Sequence, residues 1–170
     1  NITVTKSSAA FTNASAGVIT ISGGSLTISQ NSGFTTSTVV GGSTAQALGS
    51  FKFYAYGEDV KVQYLTLTVA STSALTPSNT TKLNNVTVYV NGGAVSSGVQ
   101  ATLGSSFQIS LGSNLIVPAG SSAIVEVRGD LVNQGNANVT AGSVQVSIAS
   151  STTAQGQYSF NTVNVPVATG

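Results

Sequence analysis

Four acids, Glu58, Asp59, Glu126 and Asp130, are the only carboxylate side chains in this chain, which has no His and no Cys. Acid–base and nucleophilic catalysis need an imidazole, a thiolate or a tuned carboxylate within reach of a nucleophile. Ser is abundant here but has no imidazole to activate it. A glycosidase would need two carboxylates flanking a sugar, usually over aromatic rings, and the chain has no Trp. The inventory therefore assigns no catalytic residue and points away from an enzyme.

Oxygen donors could instead serve a hard cation. Glu58, Asp59 and Asp130 are the candidate Ca²⁺ ligands, with Asp59 and Asp130 the central pair. No Asp-x-Asp-x-Asp pattern supports them, and the plainer reading is that these acids solvate turns and guard strand edges. No resident cofactor is expected beyond that one candidate. Asn-x-Ser/Thr sequons stand at Asn1, Asn13, Asn79, Asn85 and Asn138. In a chain this rich in Ser and Thr several arise by chance, and Asn79, near Pro77, is the most accessible. Lys52 or Lys61 with Glu126 could form an isopeptide crosslink, against the ordinary reading of lysines snorkelling from strand edges.

The elements that must position these residues are strands. Apolar residues alternate with Thr, Ser, Asn and Gln along most of the chain, bounded by Gly, Asn and Pro. Phe51 and Phe53 fall on one parity, with Tyr54 and Tyr56 on the other. Val60, Val62 and Tyr64 alternate, and after a parity switch so do Leu65, Leu67 and Val69, the mark of a β-bulge. Asn91-Gly92 between Val86, Val88, Val90 and Ala94, Val95 predicts a tight hairpin. Val117-Pro118-Ala119-Gly120 reads as a β-turn with Pro second and Gly fourth. Residues 70–81 read as a loop around Pro77. The pattern gives roughly ten strands and no helix, hence an immunoglobulin-like or Greek-key β-sandwich, with a jelly roll as the alternative.

Composition narrows the setting. The chain has 170 residues, 41 % hydrophobic, with five basic and four acidic residues and a net charge of +1. That suits one β domain spanning 1–170, with 1–15 as an arm and 151–170 as a C-terminal strand segment. Scattered basic residues make no footprint for nucleic acid. No apolar run reaches the roughly 18 residues of a membrane span. Near-neutral charge leaves little repulsion between copies, which favours self-association. The opening Asn1, followed by the strand-like Ile2-Thr3-Val4-Thr5, reads as a mature N-terminus after leader removal or as an excised segment, which implies an extracellular setting.

The segment GSFKFYAYGEDVKVQYLTLTV at 49–69, followed by LNNVTVYV at 83–90, VPAG at 117–120 and IVEVRGDL at 124–131, resembles repeat domains of large secreted surface proteins from candidate-phylum bacteria. The similarity runs over about 25–150. It implies an Ig-like sandwich acting as a structural or adhesive module of surface layers or filaments.

The arm carries the sharpest expectation. Ile2 and Val4 alternate on one face, with Phe11 as an anchor. A sandwich with an open edge exposes unpaired N–H and C=O groups, which a strand from a neighbouring copy can fill by donor-strand complementation. Head-to-tail exchange of that kind grows a homopolymer. The plainer reading pairs residues 1–11 with their own sheet, and Tyr158 to Val167 is the alternative donor. Two other readings stand beside it: a monomeric module for cell-surface glycans, and a passive spacer repeat.

Overall fold

The computed structural model describes residues 23–71, 82–132, 142–150 and 153–170. Within these the chain is all-β, a sandwich of two antiparallel sheets. The strands are β1 (Ser25–Gln30), β2 (Gln46–Tyr56), β3 (Val60–Ser71), β4 (Lys82–Val90), β5 (Gly93–Ala94), β6 (Val99–Thr102) and β7 (Ser106–Ser110). They continue with β8 (Ile116–Val117), β9 (Ser122–Asp130), β10 (Val144–Ile148), β11 (Thr153–Gly156), β12 (Thr162–Val163) and β13 (Ala168–Thr169).

The first sheet runs β1-β2-β9-β4-β5, with β6 also on β4. The second is organised around β3, flanked on one edge by β10 and β11 and on the other by β7 and β8. β12 and β13 close the outside of β11 and β10. Because β9 sits between β2 and β4, sequence neighbours are not always sheet neighbours, the crossed connectivity of Greek-key sandwiches.

Period-two patterning decides what is buried. In β9 Ala123, Val125 and Val127 point inward while Ile124, Glu126 and Arg128 face outward. In β2 Phe51 and Phe53 are fully buried, and Tyr54 and Tyr56 lie on the outer face. Leu65, Leu67 and Val69 of β3 meet them from the opposite sheet in one core with Val86, Val88, Val125 and Val127. The alternating run therefore feeds a two-layer core that neither sheet could bury alone.

The parity switch in β3 is a real irregularity. Thr153 pairs with Tyr64 but Ala154 pairs with Val62, so Gln63 is the extra residue. The break falls one step earlier than the alternation suggests, and Tyr64 therefore points out, 41 % exposed. The hairpin at Asn91-Gly92 has both residues at positive φ, 48° and 89°, and closes Val90 against Gly93. The turn after β8 is displaced by one residue from its expected frame. Ser121 N–H donates to the Pro118 carbonyl, putting Gly120 third with φ 70°. A type II turn requires positive φ at that place, which overrides the preference for Pro at the second position.

Candidate assembly edge and acidic anchors

Gly57, at φ 80°, turns the chain from β2 into β3 and so from one sheet to the other. Glu58 follows and is nearly covered, 8 % exposed. Its carboxylate accepts the N–H groups of Gly24, Tyr158 and Ser159, each at 2.8 Å. The Ser159 hydroxyl donates to it as well. The Ser159 hydroxyl first, then the backbone donors, hold this carboxyl down at about 2, against the ordinary 4.5. One side chain thus ties the start of β1 to the turn between β11 and β12. Room for it is made by glycine: a Cβ on Gly156 would fall 2.2 Å from Oε1, and one on Gly24 would fall 2.6 Å from Cγ.

Asp59 and Asp130 do similar work at opposite ends. Asp59 accepts the Ala119 N–H at 2.8 Å, fixing the turn after β8. Asp130, at the end of β9, accepts the Ala45 N–H at 2.8 Å and the Asn85 side-chain amide. Both of its partners have left-handed backbones, φ 51° each. Asn85 sits where the β4 register slips between Asn84 and Thr87, so Asp130 braces two strained positions.

The structure does not bring the three candidate Ca²⁺ ligands together. Glu58 and Asp59 lie at the end of the sandwich where β2 turns into β3, and Asp130 lies at the other end, paired with Asn84. Among the described residues no group of three acids could hold a metal ion. Among the sequons, Asn85 is exposed but its amide is engaged by Asp130. Asn1, Asn13, Asn79 and Asn138 lie outside the described residues.

Glu126 is on the outer face of the first sheet, where it pairs with Arg128. The Arg128 guanidinium in turn stacks over Tyr89, 4.5 Å from the ring centroid. Lys52 shares that outer face, whereas Lys61 belongs to the other sheet. Neither lysine meets Glu126 in the core, where an isopeptide would have to form.

The flank of the sandwich formed by β1 and β13 is where an added strand could sit. Asn31 N–H donates to the Ser50 carbonyl at 2.9 Å, so the ladder's period-two pattern turns the backbone groups of Leu26, Ile28 and Gln30 away from β2. No strand among the described residues pairs with that outer edge. Across from it, β13 pairs with Ser147 and Ile148 of β10. Between the two edges, at the end of the sandwich reached by Gln30, opens a groove of about 510 Å³. Phe34, Val39, Leu48, Leu131 and Val144 line it, and among the described residues no charged side chain does.

The expected donor residues Ile2, Val4 and Phe11 lie outside the described residues. The alternative donor does not stand free. Residues 157–161 form a turn anchored on Glu58, and β12 and β13 pair within their own sheet. Sequence reasoning missed the anchoring role of Glu58 because its partners lie 34 and about 100 residues away. The Gly57-Glu58-Asp59 run marked a turn and nothing more.

Among the described residues no helix is long and apolar enough to cross a membrane. No protein-family model, no curated protein and no solved structure matches this chain.

Proposed function

We propose that this chain is a non-enzymatic structural subunit of an extracellular filament or surface layer, self-assembling by β-strand addition. The observation that carries the reading is a flank that no strand among the described residues covers: the outward backbone groups of Leu26, Ile28 and Gln30 beside a groove whose described lining is uncharged. A sheet edge of this kind is a template for another strand unless it is short, charged or covered. Here the edge strand carries no charge at all, SLTISQ. A net charge of +1 over 170 residues adds little repulsion between copies. The extracellular setting rests on the low-charge, Thr-rich composition and on the resemblance to secreted surface repeats.

The test is removal of residues 1–11. The intact chain is expected to polymerise, by size-exclusion chromatography with light scattering, and the shortened chain to stay a soluble β domain. Equal polymerisation of both would remove the N-terminal donor from the account.

A second reading, a surface module that holds glycans, is favoured by one feature. Tyr54 and Tyr56 share the outer face of β2 with ring centroids 4.5 Å apart. Their planes are tilted by 56°, which makes a poorer stacking platform for a sugar than coplanar rings would. Retention of a monomeric protein on immobilised glycan would support this reading over the first.

A further inference from the structure

Lys52, Tyr54 and Tyr56 follow one another on the outward parity of β2, about 7 Å apart along the strand. Lys52 is exposed, Tyr54 half-buried and Tyr56 52 % exposed. The strands on either side set hydroxyls beside them. On β1, Ser29 stands opposite Lys52, Thr27 opposite Tyr54 and Ser25 opposite Tyr56, all three exposed. On β9, Ser122 stands opposite Tyr54, and the half-buried Ile124 opposite Lys52. Three hydrogen-bonded strands therefore build this face, and it needs no other segment.

Charge sets Lys52 apart. The chain has four acids, and each is engaged elsewhere. Glu58, Asp59 and Asp130 accept main-chain N–H groups. Glu126 pairs with Arg128, whose guanidinium lies over Tyr89. Among the described residues Lys52 forms no ion pair. An uncompensated cation thus stands beside two tyrosine rings. The outer face of the second sheet lacks this combination, because Lys61 is half-buried between Gln155 and Ile116, and Tyr64 lies beyond the bulge at Gln63.

Resting on the glycan reading above and not on strand addition, we infer that this face holds an acidic glycan, a polymer containing uronic acid residues. The polymer lies along β2, with a sugar carboxylate on Lys52 and a sugar ring against Tyr54 and Tyr56. Three observations select that ligand.

The tilt of the rings comes first. Their centroids are 4.5 Å apart with planes inclined by 56°, so a sugar ring can lie flat on one of them only. Stacking alone therefore holds a neutral glycan poorly, and a charge-assisted contact to Lys52 adds what the second ring does not.

The second is polarity. A protein partner needs an apolar, desolvated centre, and Ile124 is the one aliphatic side chain among the outward residues named above. Hydroxyls flank the rings on both sides instead, able to donate to and accept from the hydroxyls of a sugar.

The third is the number of charges. A nucleic acid is held by several cations spread along its phosphates, whereas this face offers one. A single ammonium matches a single sugar carboxylate.

The test is retention of the intact chain on immobilised polygalacturonate, beside amylose as a neutral glycan and polyglutamate as an acidic polymer without sugar rings. The chain should be held on polygalacturonate and far less on the other two. Lys52→Gln should weaken that retention roughly tenfold, the loss of one charged hydrogen bond. Lys52→Arg should keep most of it, and Tyr56→Ala should lower it. Lys61→Gln, on the other sheet, removes the same net charge and should change nothing. Equal losses from Lys52→Gln and Lys61→Gln, or equal retention on polyglutamate, would assign the effect to bulk charge and overturn the inference. Equal retention on amylose would overturn the acidic ligand while leaving the glycan reading standing. No retention on either glycan would remove both.

Discussion

The main-chain N–H of Ser159 lies 2.8 Å from Oε2 of Glu58, although 101 residues separate the two in sequence. The same carboxylate holds Gly24, where the chain enters β1. The edge strand β1 and the turn between β11 and β12 are therefore fixed by one acid. In the strand-addition reading a templating edge has to be rigid, and this anchor holds β1 at one end.

Replacing Glu58 by Gln should lower the melting temperature at neutral pH, since an amide offers its own N–H₂ to groups that already donate. The folded-state carboxyl sits at about 2, below its ordinary 4.5. A depressed pKa contributes stability that is complete above the ordinary value and fades as pH falls toward the folded one. The gap between native chain and Glu58→Gln should thus shrink from about pH 4.5 to about 2. Melting curves across that window check it. A gap independent of pH would assign the effect to packing instead.

Gly156→Ala should be costly although it adds a single methyl group, because that carbon would sit 2.2 Å from the Glu58 carboxylate. Overpacking of this kind costs about 1–3 kcal/mol. Urea titration of the variant is the measurement, and combining it with Glu58→Ala should restore part of the loss by opening the space.

Gly92→Ala meets nothing within 4 Å but must hold φ near 89°. The cost is then purely conformational, roughly 1–2 kcal/mol. Gly93→Ala, next in the chain and without positive φ, should be nearly silent in the same denaturation assay.

Adding Ca²⁺ or a chelator should leave the melting temperature unchanged. Glu58, Asp59 and Asp130 each accept main-chain N–H groups already, and they stand at two ends of the sandwich. A rise of several degrees with Ca²⁺ would contradict that assignment.

Much of the fold was legible because one face of each sheet is buried. The placement of Phe51 and Phe53 on one parity and Tyr54 and Tyr56 on the other matches the buried and outer faces of β2. The hairpin at Asn91-Gly92 was legible from turn chemistry alone. Misread details were local contests between rules: Tyr64 followed the bulge at Gln63, and Gly120 rather than Pro118 set the turn frame. The anchors were invisible for a different reason. Glu58 bonds to residues 34 and about 100 positions away, and period-two patterning carries no information at that range.

Negative-stain electron microscopy of the intact chain, read beside its size-exclusion profile, tests the central claim most directly. The account predicts regular filaments or sheets that form without added ligand. A monodisperse population of single domains at every concentration would contradict it.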